Sequence, residues 1–595
     1  MDPSAPNVLP AHPVTRMTSP PRVHRTPLRR FATAIAVALV LVVSGCGSGD
    51  EAADERPADT RSDTSADTAT DGHTGSSGFE RPECSQGATG DGGEVTPVDD
   101  VASDLTIESF DGTEIRAHWF PADTDDPAPT ILMGPGWSLG GDTSLDGGTL
   151  FGALGIGDMN DAGYNVLTWD PRGFGASTGA ATVNAPETEG RDVQVLLDWV
   201  SEQPEARLDD DGDPRVGMVG ASYGGGIQLT VAAIDCRVDA LVPSLAWHSL
   251  ETGLFRNETV KAGWASTLVD VAAAAELDPH VTHAADSIES GVLSDDDLEW
   301  FRSRGPGDLV DDITAPTLFV QGTVDTLFTV DEAILNHRSL AARGVPTGML
   351  WFCGGHGTCL THRPDTGWIT DATFAWLDRW VKGDESIDTG PAIVIEDQHG
   401  DLWSADAFPD DEASGGTGDG EASDAGVGAA SGGGTLPLVA EGGAGPLTGP
   451  PPEGDPLGAL VLGITPARAT NAVELPLPSS SDDANRLLLG APVLTITYSG
   501  TVPDGPEPTR VFAQLVDEET GTVVGNQITP VPVVLDGAEH TTTIPLETIA
   551  HEPGGGLTLQ LVATTVSFSV PRLGGEVTFS AIELTVPVAT ALAPA

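Results

Sequence analysis

The sequence predicts an α/β protein in its first large domain, a mostly parallel sheet covered by helices on both faces, followed by an all-β sandwich. Two observations predict this. Between positions 97 and 408 short apolar runs alternate with helical patterns, and from 436 onward short runs of alternating polar and apolar residues replace them, separated by Gly, Pro and Asp. The length, 595 residues, exceeds one ordinary core and is long enough for several domains. In chain order, Leu105 to Phe120 reads as a hairpin around Asp111-Gly112. Strand-length apolar runs follow at 130–133, 164–169, 216–219, 240–242, 317–320 and 348–352. Helical patterns lie between them, as in Val193, Leu196, Leu197 and Val200, and another follows the last run with Phe374, Leu377 and Trp380. The β half reads as strands at 491–498, 510–516, 522–524, 541–544, 557–562 and 577–584.

The ends and joints have their own composition. Arg22, Arg25, Arg29 and Arg30 precede an apolar run from Phe31 to Val43 that is short for a membrane span, and small residues lead to Cys46. This is the pattern of an export signal over 1–45, with Cys46 placed as in a bacterial lipoprotein box and so expected to carry lipid on the outer face of the membrane. Residues 46–96 hold almost nothing to bury and read as a tether, and 409–435, rich in Gly, Ala, Ser and Asp, as a linker before the 436–595 sandwich. A formal charge of -62, from 89 acidic against 27 basic residues, repels phosphate backbones and excludes nucleic acid as an expected partner. Setting Cys46 aside leaves Cys84, Cys236, Cys353 and Cys359, an even number that in an exported chain reads as two disulfides. Three pairings are open, and Cys84 with Cys236 and Cys353 with Cys359 is the one expected.

Chemistry gathers around one serine. Gly220-Ala221-Ser222-Tyr223-Gly224 follows an apolar run and fits G-x-S-x-G, a turn from strand to helix so sharp that glycines must flank the serine. A serine hydroxyl is a poor nucleophile until a base takes its proton, and that base needs an orienting carboxylate. Asp325 stands in the loop after the run 317–320, and His356 in the loop after 348–352. The order Ser222, Asp325, His356 is that of an α/β-hydrolase. Each residue has a plainer role available: a helix cap for Ser222, a turn for Asp325, a metal ligand or core group for His356. Their joint placement at the carboxyl ends of three strands favours a catalytic triad. Asp331 and His248 are competing candidates, and His248 reads better as a pocket or hinge residue. The oxyanion donors expected are the backbone N–H of Tyr223 and that of Gly136 or Trp137 in the loop after 130–133.

With these residues in place, the chain resembles the X-prolyl dipeptidyl peptidase and cocaine esterase family of serine hydrolases, from about Pro97 to the C-terminus. The resemblance rests on Asp170-Pro171-Arg172-Gly173-Phe174-Gly175, the G-A-S-Y-G elbow, Gln321-Gly322 before the acid, and the C-terminal β domain. It implies an α/β-hydrolase fold with an inserted helical cap at about 249–312, then a jelly-roll sandwich that packs beside the hydrolase and carries no catalytic residue; 509–526 looks like part of that jelly roll. It also implies an acyl ester or peptide substrate, including Xaa-Pro dipeptides, and no cofactor. One departure stands out: the family's second oxyanion donor is usually a tyrosine hydroxyl, whereas this loop offers Trp137, through its indole or its backbone.

The rival reading is a surface-binding lipoprotein whose hydrolase fold has lost catalysis; the complete triad argues against it. Lys261 and Lys382 follow no phosphate loop, Asp209 to Asp213 lacks the remaining ligands of a calcium turn, and no zinc spacing occurs, so no metal is expected.

Overall fold

The computed structural model describes residues 83–595 apart from 100, 147–154, 289–290, 292, 409–426, 451–457, 478–486, 504–507, 553–555, 570–571, 590–591 and 595. The export signal, the Cys46 lipidation site, most of the tether and the first two-thirds of the linker lie outside the described residues.

A twelve-stranded mixed sheet carries the first domain. Its strands are β1 (Val95–Pro97), β2 (Asp104–Glu108), β3 (Glu114–Phe120), β4 (Thr130–Gly134), β5 (Asn165–Trp169), β6 (Val216–Ala221), β7 (Val238–Ser244), β8 (Thr317–Gly322), β9 (Thr347–Phe352), β10 (Ile393–Glu396) and β11 (Leu402–Ala405). They stand in the order β1-β2-β3-β5-β4-β6-β7-β8-β9-β10-β11, with Ala593–Pro594 from the end of the chain pairing on β11. From β5 across to β10 every pairing is parallel. Continuous apolar runs are what a parallel sheet buried on both faces requires, and β5 and β7 are buried along their whole length. The helices α1 (Ile156–Asp161), α2 (Arg191–Ser201), α3 (Tyr223–Ile234), α8 (Val330–Ala342) and α9 (Gly367–Trp380) cover it. Between β7 and β8 stand four short helices, α4 (Leu250–Leu254), α5 (Ala262–Val271), α6 (Pro279–Asp286) and α7 (Asp295–Arg302), where the cap is expected.

Three segments differ from their sequence reading. Residues 84–96, assigned to the tether, are fastened to the hydrolase domain. Cys84 is bonded to Cys236, Thr89 and Gly90 bind the Asp198 carboxylate, and β1 pairs with β2. The expected pairings, Cys84 with Cys236 and Cys353 with Cys359, are those formed. The first closes a separation of 152 residues. Constraining so long a loop in the unfolded chain is worth about 4–5 kcal/mol on the chain-entropy account. Replacing Cys84 and Cys236 together by serine is therefore expected to lower unfolding stability by about that amount, measured by denaturant titration.

Beyond the hydrolase domain lies an all-β sandwich of two four-stranded antiparallel sheets, with a smaller three-stranded one. The end of the predicted linker belongs to it: Val427–Pro437 is a strand paired along the length of Glu576–Val586. Its glycine run reads as low complexity in sequence, yet a Cβ at Gly432 or Gly434 would stand 2.8 or 2.9 Å from Leu475 or Val473 of the facing sheet. The third difference is at 522–524. No strand runs there; a short turn over Val524–Asn526 takes its place and reaches toward the hydrolase domain.

Candidate active site

β6 ends in Ala221, and the next residue, Ser222, has φ 58° and ψ -116°. This is a strained setting for a side-chain-bearing residue, of the kind found at nucleophile elbows. Close backbone packing holds it. A Cβ on Gly224 would stand 2.0 Å from the carbonyl oxygen of Gly134, and one on Gly220 would stand 2.7 Å from the same atom. Hence only glycine serves on both sides of the serine. The N–H of Ser222 donates to the carbonyl of Ser244 at 2.9 Å, tying the elbow to the end of β7.

Asp325 and His356 meet directly. Oδ2 of the fully buried Asp325 lies 2.7 Å from His356 Nδ1 and accepts the His356 backbone N–H at 3.1 Å. Oδ1 accepts the N–H groups of Leu327 and Phe328 at 2.9 and 2.8 Å. A carboxylate can only accept, so the imidazole proton sits on Nδ1 and Nε2 is the unprotonated ring nitrogen. The His356 loop is braced in turn. The Cys353–Cys359 disulfide closes it, and Glu396 accepts the Cys353 N–H at 2.8 Å and faces His362 Nε2 at 2.9 Å. Cys353, Cys359 and His362 lie close together, but both sulfurs are spent in the disulfide.

Ser222 opens on a cavity of about 850 Å³, including its mouth, under the cap helices. Phe328 links it to the acid-base pair: the ring lines the same cavity and stands edge-on to the His356 ring, with centroids 5.4 Å apart. Trp264 from α5 also stands edge-on to the His356 ring, with centroids 5.8 Å apart.

On the oxyanion side, the N–H of Tyr223 opens α3 and so has no acceptor within its own helix. Trp137 is a cavity wall, and its indole is committed: Nε1 donates to the carbonyl of Leu268 on α5 at 3.0 Å. The indole N–H is thus turned away from Ser222's cavity and engaged with the cap. Phe174, of the Asp170 to Gly175 motif, packs edge-on against both Trp137 and Tyr223. The motif itself is braced by the Arg172 guanidinium on Asp192, with two contacts of 2.7 Å.

The competing candidates lie elsewhere. Asp331 binds the backbone and hydroxyl of Thr548 in the sandwich, and His248 Nδ1 faces Asn336 Oδ1 at 2.8 Å.

Sequence reasoning missed two supports. Asn526, at the turn where a strand is expected, donates to the carbonyl of Thr358 at 2.9 Å, and Gln527 donates to the carbonyl of Asp325 at 2.7 Å. The sandwich thus holds the acid loop and the histidine loop together, although it supplies no triad member. The second support is Glu189, buried behind the elbow. The Tyr223 hydroxyl stands 2.8 Å from both its oxygens, the Thr182 N–H donates to it at 2.7 Å, and Asn184 bonds the carbonyl of Tyr223. Asn526 falls within the 509–526 jelly-roll resemblance, which carries no hint of a contact with the hydrolase loops, and Gln527 and Glu189 lie in no motif.

Burial pushes the Glu189 carboxyl up from 4.5 to about 7, against the opposing pull of its hydrogen-bond donors. A carboxyl whose value is raised by folding holds its proton more tightly in the folded chain, so its stabilising effect fades as pH rises from about 4.5 to about 7. Asp331, raised to about 6 by burial and by the neighbouring Glu547 carboxylate, acts in the same direction. The Glu189 share of unfolding stability is expected to fall between about pH 4.5 and pH 7, by up to roughly 3 kcal/mol, while His337 and His551, each held down to about 4 by burial, act in the opposite direction between about pH 4 and 6.5. Glu189→Gln is expected to flatten the slope in thermal melts.

Comparison with known proteins agrees with this geometry. Residues 111–358, from the hairpin turn through the histidine loop, match the sequence profile described as X-Pro dipeptidyl-peptidase (S15 family). That stretch of the hydrolase domain is similar to the S15 family. Among solved structures, a CocE/NonD family hydrolase from Staphylococcus aureus superposes with a TM-score of 0.56 at 13% identity, covering 82% of this chain and 93% of its own. An aminopeptidase from a marine sediment Thaumarchaeota archaeon superposes with a TM-score of 0.54 at 14% identity, covering 83% of this chain and 98% of its own. Likeness at that identity shows a shared fold, and its coverage is larger than the hydrolase domain alone. Curated relatives are similar over shorter stretches. An Escherichia coli protein of 31.7 kDa from the traX-finO intergenic region is 31% identical over 175 residues, 28% of this chain and 56% of its own. A polyketide transferase of Penicillium sp is 28% identical over 142 residues, 24% of this chain and 43% of its own. The chain thus spans about half the length of these relatives. The profile match over 111–358 and the superposed structures agree on an α/β-hydrolase fold, within which Asp325 and His356 are in contact and Ser222 faces the cavity.

Proposed function

We propose that the protein hydrolyses an acyl ester or amide, Xaa-Pro dipeptides among the candidates, through an acyl-enzyme on Ser222. His356 Nε2 takes the Ser222 proton as Oγ attacks the carbonyl carbon, and later passes it to the departing oxygen or nitrogen. Asp325 holds the imidazole in the tautomer that can do this, and the N–H of Tyr223 with that of Gly136 or Trp137 stabilises the oxyanion. The observation that carries the reading is the 2.7 Å contact between Asp325 and His356, beside the cavity onto which the strained Ser222 opens. A fluorophosphonate probe tests it: a mass increment on the peptide bearing Ser222, with loss of p-nitrophenyl acetate turnover, supports the reading. An unlabelled serine overturns it.

We place this activity outside the cytoplasm, at a membrane, through lipid on Cys46. The basic and apolar leader supports that placement, as do two disulfides, which persist in oxidising compartments. Incorporation of a fatty-acid analogue that is lost in Cys46→Ala tests it.

A further inference from the structure

The cavity beside Ser222 is walled by carbon. Its described lining includes Leu254, Leu268, Val281, Ala284, Ile288 and Phe301 from the cap, and no charged side chain is among the described lining residues. Three of the aromatic walls carry a polar atom, and each spends it away from the cavity. The Tyr223 hydroxyl binds Glu189, the Trp137 indole binds the carbonyl of Leu268, and the Trp247 indole binds the carbonyl of Arg304 at 3.2 Å. Ser222 therefore presents the one side-chain polar group the described lining leaves to a ligand. Two acids of the cap are engaged as well: Glu251 pairs with Arg302 at 2.6 Å, and Asp297 holds His280 and Ser294.

A dipeptide with a free amino terminus brings an ammonium that must be desolvated on entry, and desolvation without a partner costs far more than the apolar contact returns. The described wall offers no carboxylate for it. An uncharged acyl chain, by contrast, exchanges water for carbon along its length. Resting on the serine-hydrolase reading above, we propose that the substrate is a carboxylic ester whose acyl part is an uncharged hydrophobic chain of medium length, seated under the cap. In the acylation step Ser222 Oγ bonds to the carbonyl carbon, the ester C–O bond breaks, and the serine proton passes through His356 to the departing alcohol. Water then adds to the acyl carbon, the Oγ–C bond breaks, and the free carboxylic acid leaves.

The test is a series of p-nitrophenyl esters at constant leaving group. The expected kcat/KM rises about threefold per methylene from acetate to hexanoate. A hexanoate chain with an amino group at its tip is expected to fall about a hundredfold below hexanoate itself. Val281→Asp, which sets a carboxylate in the wall, is expected to narrow that gap at least tenfold. Because the gap is a ratio within one variant, scaled to fluorophosphonate-titrated sites, partial misfolding cancels. A flat chain-length profile, or faster turnover of the amino-tipped ester or of Ala-Pro-p-nitroanilide, overturns the proposal while leaving the hydrolase reading standing. If Ser222 takes up no probe and Ser222→Ala cleaves these esters as fast as the parent, the hydrolase reading itself falls.

Discussion

Ser222→Ala is expected to lower kcat for any ester substrate by at least about 10⁴-fold with the fold intact, because no other group in the site can form the acyl-enzyme. The substitution removes a single oxygen. It leaves the elbow glycines, the Ser222 N–H bond to Ser244 and the Asp325–His356 contact where they are. Alanine at φ 58° meets much the same backbone strain as serine, so the melting temperature should move little. Residual turnover then measures what the oxyanion N–H groups and the cavity contribute on their own, in the range of 10³ to 10⁴ over water for a triad without its nucleophile. Activity within tenfold of the parent would mean that the observed hydrolysis takes place elsewhere.

How much of this was legible in the sequence differs from element to element. The parallel core was, because strands buried on both faces are continuous apolar runs that neighbouring residues announce by themselves. So was the elbow, since only glycine tolerates the approach of Gly134 to Gly224. What stayed hidden depends on long-range partners. The Val427–Pro437 strand looks like a linker because its glycines exist to fit Leu475 and Val473, some forty residues away. The commitment of the Trp137 indole depends on Leu268 in the cap, and the contacts of Asn526 and Gln527 depend on loops 168 and 202 residues upstream. A hydrogen bond to a distant carbonyl leaves no periodicity behind it.

Those two sandwich residues alter what the second domain is for. A loop-borne acid and a loop-borne base keep their relative position only as well as their loops do, and a misplacement of about 1 Å can cost a hundredfold in rate. Here the acid loop is bound from below by Gln527 and the histidine loop by Asn526, both on one turn. Lys261 adds a third tie, its buried Nζ donating to the carbonyl of Leu327 at 2.7 Å. The cap thus adds to the sandwich's hold on the loop that carries Asp325, in each case through a backbone carbonyl.

Asp325→Asn separates orientation from charge. The carboxylate accepts four donors: two backbone N–H groups on Oδ1, and the imidazole with a third backbone N–H on Oδ2. An asparagine supplies one acceptor oxygen and one donor NH₂, so one side of the site must now face donor to donor. If the oxygen stays with Leu327 and Phe328, the NH₂ faces His356 Nδ1 and drives its proton to Nε2, the atom that should receive the serine proton. If the amide turns over, the imidazole keeps its tautomer, but two buried N–H groups lose their acceptor at a cost of about 1–3 kcal/mol each. The first arrangement is the less costly in folding and the more damaging in catalysis. The expected result is therefore a loss of roughly 10⁴-fold in kcat and a matching loss in fluorophosphonate labelling rate, with only a modest fall in melting temperature. A variant that melts far below the parent yet labels at the parental rate would show the second arrangement, and would make the carboxylate's main task the holding of its own loop.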